Sequence, residues 1–352
     1  MFHKALWMRN WKQGKYIILL FFFSCLYFFP YKYYQAAQQQ LYFYHKLHTE
    51  GKFYYEYTFF ASNSFWIAFI AIILGCILIG WERRNQSEDM LIAMPFKRRN
   101  IFLSKWLFGV VHIVGSFFIS WILMYLVYKS TIHFEYQSFY PFHRYFLYAI
   151  ISYVAIYTAT LCIGTFTGSV ISQSIFSITF LVMGCGVFSL GLSFLITHWN
   201  AVDNENHWKT SELLYEFNEK TSISAPINKF TIDYNYDSKN RRTDDTKNTL
   251  KGPAFHQYYS AKAMLVPVFY TICCLLLGTF LFTRTRNENH MKIFLFQKHR
   301  LLWISGTTLY FALIGGRLLN PFGLLLNYYV GFFLVGSITY FILSRASKYK
   351  IF

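Results

Sequence analysis

The chain has 352 residues, 55% hydrophobic and only 14% charged, with a mean hydropathy of +0.29. Several apolar runs exceed 18 residues, which excludes a soluble globular domain and points to a polytopic membrane protein. The formal net charge of +17 is not gathered on any soluble domain, so it does not argue for nucleic acid as a partner. All six cysteines lie inside apolar runs, which excludes a disulfide framework and leaves no CxxC metal motif.

Residues 1–15, MFHKALWMRNWKQGK, are basic and amphipathic. Leu6, Trp7 and Trp11 can share one face while Lys4, Arg9, Lys12 and Lys15 snorkel, as in an interfacial elbow helix. A signal peptide is the alternative, but the two tryptophans and the long basic start argue against it. The first span is expected over about 16–34, followed by a Tyr- and Gln-rich loop to about residue 57. The second span is expected over about 58–80.

The segment 81–105, WERRNQSEDMLIAMPFKRRNIFLSK, is the longest strongly charged stretch between two long apolar runs. Arg83, Arg84, Lys97, Arg98 and Arg99 mark it as a cytoplasmic loop. Ser87 followed by Glu88 and Asp89 reads as a helix start, with acids favoured in the first turn. Met90, Leu91 and Met94 supply an apolar stripe, and Pro95 stops the helix. The loop therefore reads as a short amphipathic helix at the membrane surface, joined to a span on either side.

The third span is expected over about 101–128, the fourth over 145–170 and the fifth over 175–197, with Ser172, Gln173 and Ser174 as a tight turn between the last two. Gly164 and Gly168 form a GxxxG, and the fifth run carries Gly184 and Gly186. Such residues let helices approach closely, either inside one bundle or at a dimer seam. The region 1–197 is followed by the one large polar segment, 198–262, read as an exterior insertion whose second half is turn-rich. It holds nine basic and nine acidic residues, so it names no substrate class. A sixth span over about 263–283, a basic linker over 284–300, and two spans over 301–318 and 322–343 complete the region 263–352. The fold class is thus all-α polytopic, with about eight transmembrane helices.

Eight spans put both ends on one side. The pieces expected on that side carry seventeen basic and four acidic residues, while the short opposite loops carry five basic and three acidic. Both termini should therefore be cytoplasmic. The positive charge is a signature of topology.

Chemistry is sparse. The only Gly-Lys pairs, Gly14-Lys15 and Gly51-Lys52, do not sit in a phosphate-cradling GxxxxGK[ST] loop. No catalytic constellation and no histidine pair with metal-site spacing is present, so neither an enzyme nor a metal centre is expected. His112 is the clear ionisable group within a span, and it reads as hydrogen-bonded to a neighbouring helix.

The loop carries a family resemblance. Glu82, Ser87, Glu88, Leu91, Met94, Pro95, Arg98, Ile101 and Lys105 follow the order of acidic, apolar, proline and basic positions in the coupling-helix region of ABC-2-type transporter permeases, which the chain resembles over about residues 1–283. The match departs where Gln86-Ser87 and Met94-Pro95 stand for the more usual Gly-Thr and Leu-Pro. The resemblance implies a six-span permease core with an elbow helix and an exterior insertion, to which the last two spans are extra. It also implies export in a bacterial plasma membrane. Two permease subunits, as a homo- or heterodimer, would work with two cytoplasmic ABC ATPase subunits that bind ATP and Mg. The residues expected to meet the ATPase are Glu82, Glu88, Asp89, Met90, Leu91, Met94, Pro95 and Arg98. A non-transport membrane sensor or assembly protein is the rival reading.

Overall fold

A computed structural model of the chain describes residues 3–49, 57–59, 61–85, 90–91, 93–136, 139–183, 190–191, 193–195, 197–198, 223, 230–232, 261–285, 295, 300–320 and 325–346. Among these, six helices are long and apolar enough to cross a bilayer: Lys4–Lys46, Phe65–Arg84, Arg98–Ser130, Phe142–Phe166, Met264–Arg284 and Leu325–Arg345. The apolar helix Val170–Leu181 is shorter. The seventh expected span is a helix over Arg300–Leu318 whose two arginines and three glycines lower its hydropathy. The fold is all-α apart from one short ribbon, and the protein is a multi-pass membrane protein.

The first helix overrides two expectations. α1 (Lys4–Leu26), a π-helical turn (Tyr27–Tyr31) and α2 (Lys32–Thr49) follow one another without a break. No joint separates the basic start from the span, and the expected Tyr/Gln loop is helical to Thr49. The stretch QAAQQQL is made of good helix formers and contains neither Gly nor Pro. Pro30 cannot donate to the ladder, and the π turn absorbs it. At 43 residues, Lys4–Lys46 is about 65 Å long, roughly twice the hydrocarbon thickness.

The chain divides into two units, described separately. The first comprises 1–75, 103–159 and 224–274. It holds α1, α2, most of α3 (Ala61–Cys76) and of α5 (Arg98–Ser130), the short α6 (His133–Tyr136) and the start of α7 (Tyr140–Phe166). Its core is aromatic. Phe117 stacks on Tyr153 at 5.0 Å and meets Phe29 at 5.5 Å, while Trp121 stacks on Phe146 at 5.9 Å. The Tyr157 hydroxyl donates to the Lys105 carbonyl at 2.8 Å and Trp106 Nε1 donates to Thr158 Oγ1 at 2.9 Å, which ties α5 to α7. The N-terminal tryptophans do not face outward alone. Trp7 and Trp11 stack against His112 of α5 at 5.7 and 5.6 Å. The His112 ring bonds the Phe108 carbonyl of its own helix at 2.7 Å, so the expected bond to a neighbouring helix is replaced by aromatic stacking. The ribbon pairs β1 (Tyr57–Phe59) antiparallel with β2 (Phe230–Ile232), Thr58 opposite Thr231, and anchors the insertion to the segment before α3.

The second unit comprises 76–102, 160–223 and 275–352. It contains the π turn Ile77–Trp81, α4 (Glu82–Arg84), the end of α7, α8 (Val170–Met183) and the end of α9 (Ala261–Arg284). α10 (Arg300–Leu318) and α11 (Leu325–Ala346) form an antiparallel pair that closes at Gly315 and Gly331, where a Cβ on either would meet the other's backbone. The hairpin is not a loose appendage. His198 Nε2 bonds the Tyr329 hydroxyl at 2.6 Å, and Phe194 packs on Tyr328 with ring centroids 5.8 Å apart.

The expected turn at 172–174 lies earlier, at 167–169. Ser169 is the reason. Its Oγ accepts the Ser172 backbone N–H at 3.2 Å, an N-cap that starts α8 five residues sooner.

Candidate functional site

The loop between the second and third spans is built on two arginines that close helix ends. Phe65–Arg84 carries Arg83 into the interior, where it is only 1% exposed. Its Nη1 donates to the carbonyls of Gly164 and Thr167, the latter at 2.6 Å. These belong to the C-terminal end of α7, where carbonyls lack intrahelical donors and the helix dipole favours a cation. The Leu295 N–H, from the basic linker, takes the Phe166 carbonyl of the same end at 3.0 Å.

Gln173 of α8 fits between two glycines in this junction. A Cβ on Gly80 would stand 2.7 Å from Gln173 Oε1, and one on Gly164 would stand 2.5 Å from Gln173 Nε2. Only hydrogen at both positions admits the amide, whose Nε2 donates to the Thr160 carbonyl at 3.0 Å. Gly164 therefore serves packing inside the chain. Gly168 is buried beside it, and Gly184 and Gly186 lie outside the described residues.

Arg98 performs the same task at the other end of the loop. Its Nη1 donates to the Thr285 carbonyl at 2.6 Å, just past the C-terminus of α9. Phe102 and Phe282 pack beside it with centroids 5.6 Å apart. The C-terminal ends of α7 and α9 are thus gathered at the loop, as alternating spans require.

Between the arginines, Met90, Leu91 and Ala93 are helical; Glu88 and Asp89, with the expected N-cap Ser87, lie outside the described residues. Met94 N–H donates to the Leu91 carbonyl at 3.3 Å, and Pro95 follows on the surface. The expected single stripe is split. Leu91 is 2% exposed, whereas Met90 is 69% and Met94 36% exposed. Residues four apart share a helix face, while adjacent residues stand about 100° apart, so Met90 and Met94 point outward together as Leu91 turns in. Glu82, expected to meet a partner, is buried within the chain.

Sequence reasoning named Leu91, Arg98 and Gly164, read Arg83 only as a topology charge and Gln173 only as a turn residue, and did not single out Gly80. Gly80 followed closely by arginine at the end of an apolar run was the available signal. Among the described residues the arrangement has no nucleophile, base or oxyanion donors in register. Two helix ends are clasped from one loop, and an apolar pair is left on the outside.

Neither a curated protein nor a solved structure matches the chain. The family model described as ABC-2 family transporter protein matches residues 8–286. That range takes in the clasped loop and both helices whose ends it binds, α7 and α9, and it stops before the α10–α11 hairpin. The chain belongs to the ABC-2 transporter family and is a membrane subunit of an ABC transporter.

Proposed function

We propose that the chain is the permease subunit of an exporter, with both termini in the cytoplasm, driven through the 82–98 loop by a separate ATPase that binds ATP and Mg. Two permease and two ATPase subunits form the working unit. The observation that carries this reading is the pairing of exposed Met90 and Met94 with buried Arg83 and half-buried Arg98. An apolar knob is useful for coupling only if a push on it reaches the spans. The two arginines bond the flanks of that knob to the ends of α7 and α9, so displacement of the loop displaces both helices. Glu88 and Asp89 add acidic groups for basic residues on the ATPase.

Export rather than import follows family usage, and the substrate is set elsewhere in the spans. The test is affinity capture of the partner ABC ATPase. Met90→Asp with Met94→Asp removes two apolar side chains, each contributing about 1.5–3 kcal/mol when fully buried. Capture should weaken by tenfold or more. Undiminished capture and ATP hydrolysis with that double variant would refute the assignment of this loop.

A further inference from the structure

A second feature lies at the C-terminal end of α5. There a groove of about 690 Å³ opens on the side of the first unit, lined by Leu26, Pro30 and Tyr34 on one wall and Leu123, Leu126 and Val127 on the other. The π turn Tyr27–Tyr31 belongs to the first wall, and such turns shift the ladder and part neighbouring helices. The polar groups at the rim are Lys129, Ser130 and the Tyr31 and Tyr34 hydroxyls. Ser130 Oγ already donates to the Val127 carbonyl at 3.3 Å, and the Tyr31 hydroxyl accepts from Gln35 at 3.1 Å.

Lys129 is different. Its Nζ stands 4.2 Å from the centre of the Phe134 ring, 5.8 Å from that of Tyr125 and 5.9 Å from that of Tyr128. The rings hold the ammonium over the groove mouth. Leu126 and Leu123 stand three and six residues along the helix from it, about 4.5 and 9 Å deeper. A cation above an apolar slot on the flank of a membrane span matches the profile of an anionic amphiphile, charged at the interface and hydrocarbon below.

We propose that this groove is a binding site for one anionic phospholipid of the bilayer, its phosphate on Lys129 and an acyl chain between Leu126 and Pro30. Native mass spectrometry of the full-length chain, titrated in detergent with phosphatidylglycerol or phosphatidylcholine of identical acyl chains, reads the site. One phosphatidylglycerol should be retained at least tenfold more tightly than phosphatidylcholine. Lys129→Gln should erase that preference and Lys129→Arg should keep it. Leu126→Trp, at a position 56% exposed and so outside the core, should fill the slot and release both lipids. Soluble glycerol phosphate should not compete, because it lacks the chain. Equal retention of the two lipids, an unchanged preference in Lys129→Gln, or displacement by glycerol phosphate would each overturn the proposal. Should Leu126→Trp not fold, the Lys129 pair and the competition decide it. None of these readouts involves the ATPase, so failure here leaves the coupling reading standing.

Discussion

Arg83→Ala should be among the costliest single changes in this chain. The substitution leaves the Gly164 and Thr167 carbonyls at the end of α7 without their donor, in a place where the arginine itself is 1% exposed. Hydrogen bonds to a charged partner contribute about 1.5–3 kcal/mol each. Two of them bound the loss at roughly 3–6 kcal/mol, with the lower end favoured because water can enter the space left by the side chain. Arg83→Lys keeps the charge but replaces the fork by a point donor, and should recover about half. Arg84→Ala is the control. That side chain is exposed beside Trp81 at 5.4 Å and should cost less than about 1 kcal/mol. Equilibrium unfolding in mixed micelles ranks the three variants. If Arg83→Ala falls within 1 kcal/mol of Arg84→Ala, the clasp does not hold α7 and the mechanical argument built on it is wrong.

Three further outcomes follow from the same geometry. Gly164→Ala should destabilise the chain by about 1–3 kcal/mol through contact with Gln173, and Gln173→Ala in the same chain should relieve part of that, measured as a double-mutant cycle. Leu91→Asp should impair folding of the permease by itself, because it buries a charge, whereas Met90→Asp should leave unfolding unchanged and weaken only ATPase capture. His133 is fully buried, stacked on Tyr33 at 3.8 Å, and burial pushes its imidazole down from 6.5 to about 4 against the smaller opposing effect of the Tyr33 carbonyl. The unfolded chain binds the extra proton between those values, so the contribution of up to roughly 3 kcal/mol is fully present above pH 6.5 and falls away toward pH 4. His133→Phe should flatten that part of the stability profile; an unchanged slope would show that another group titrates.

Much of this architecture was legible from apolar runs and charge alternation, since each is a local property. The spans and the loop at 81–105 could be read that way, as could the closeness of Gly164 to a neighbour. The extent of the first helix was not, because a polar stretch free of breakers reads as a loop when solvent and hydropathy are the only guides. The outward turn of Met90 and Met94 follows from helix geometry, but the inward turn of Leu91 depends on what packs beneath it. Arg83 was hidden for a different reason. The positive-inside rule counts a cation without saying where it points, and its acceptors lie 81 and 84 residues away.

The most direct test of the central claim places a photocrosslinking amino acid at position 90 or 94 in the full-length permease, coexpressed with its ATPase, with position 126 as control. Adducts to the ATPase from 90 and 94, and none from 126, are the predicted result. Absence of ATPase adducts at both 90 and 94 in a complex that still assembles would show that the ATPase engages the permease elsewhere.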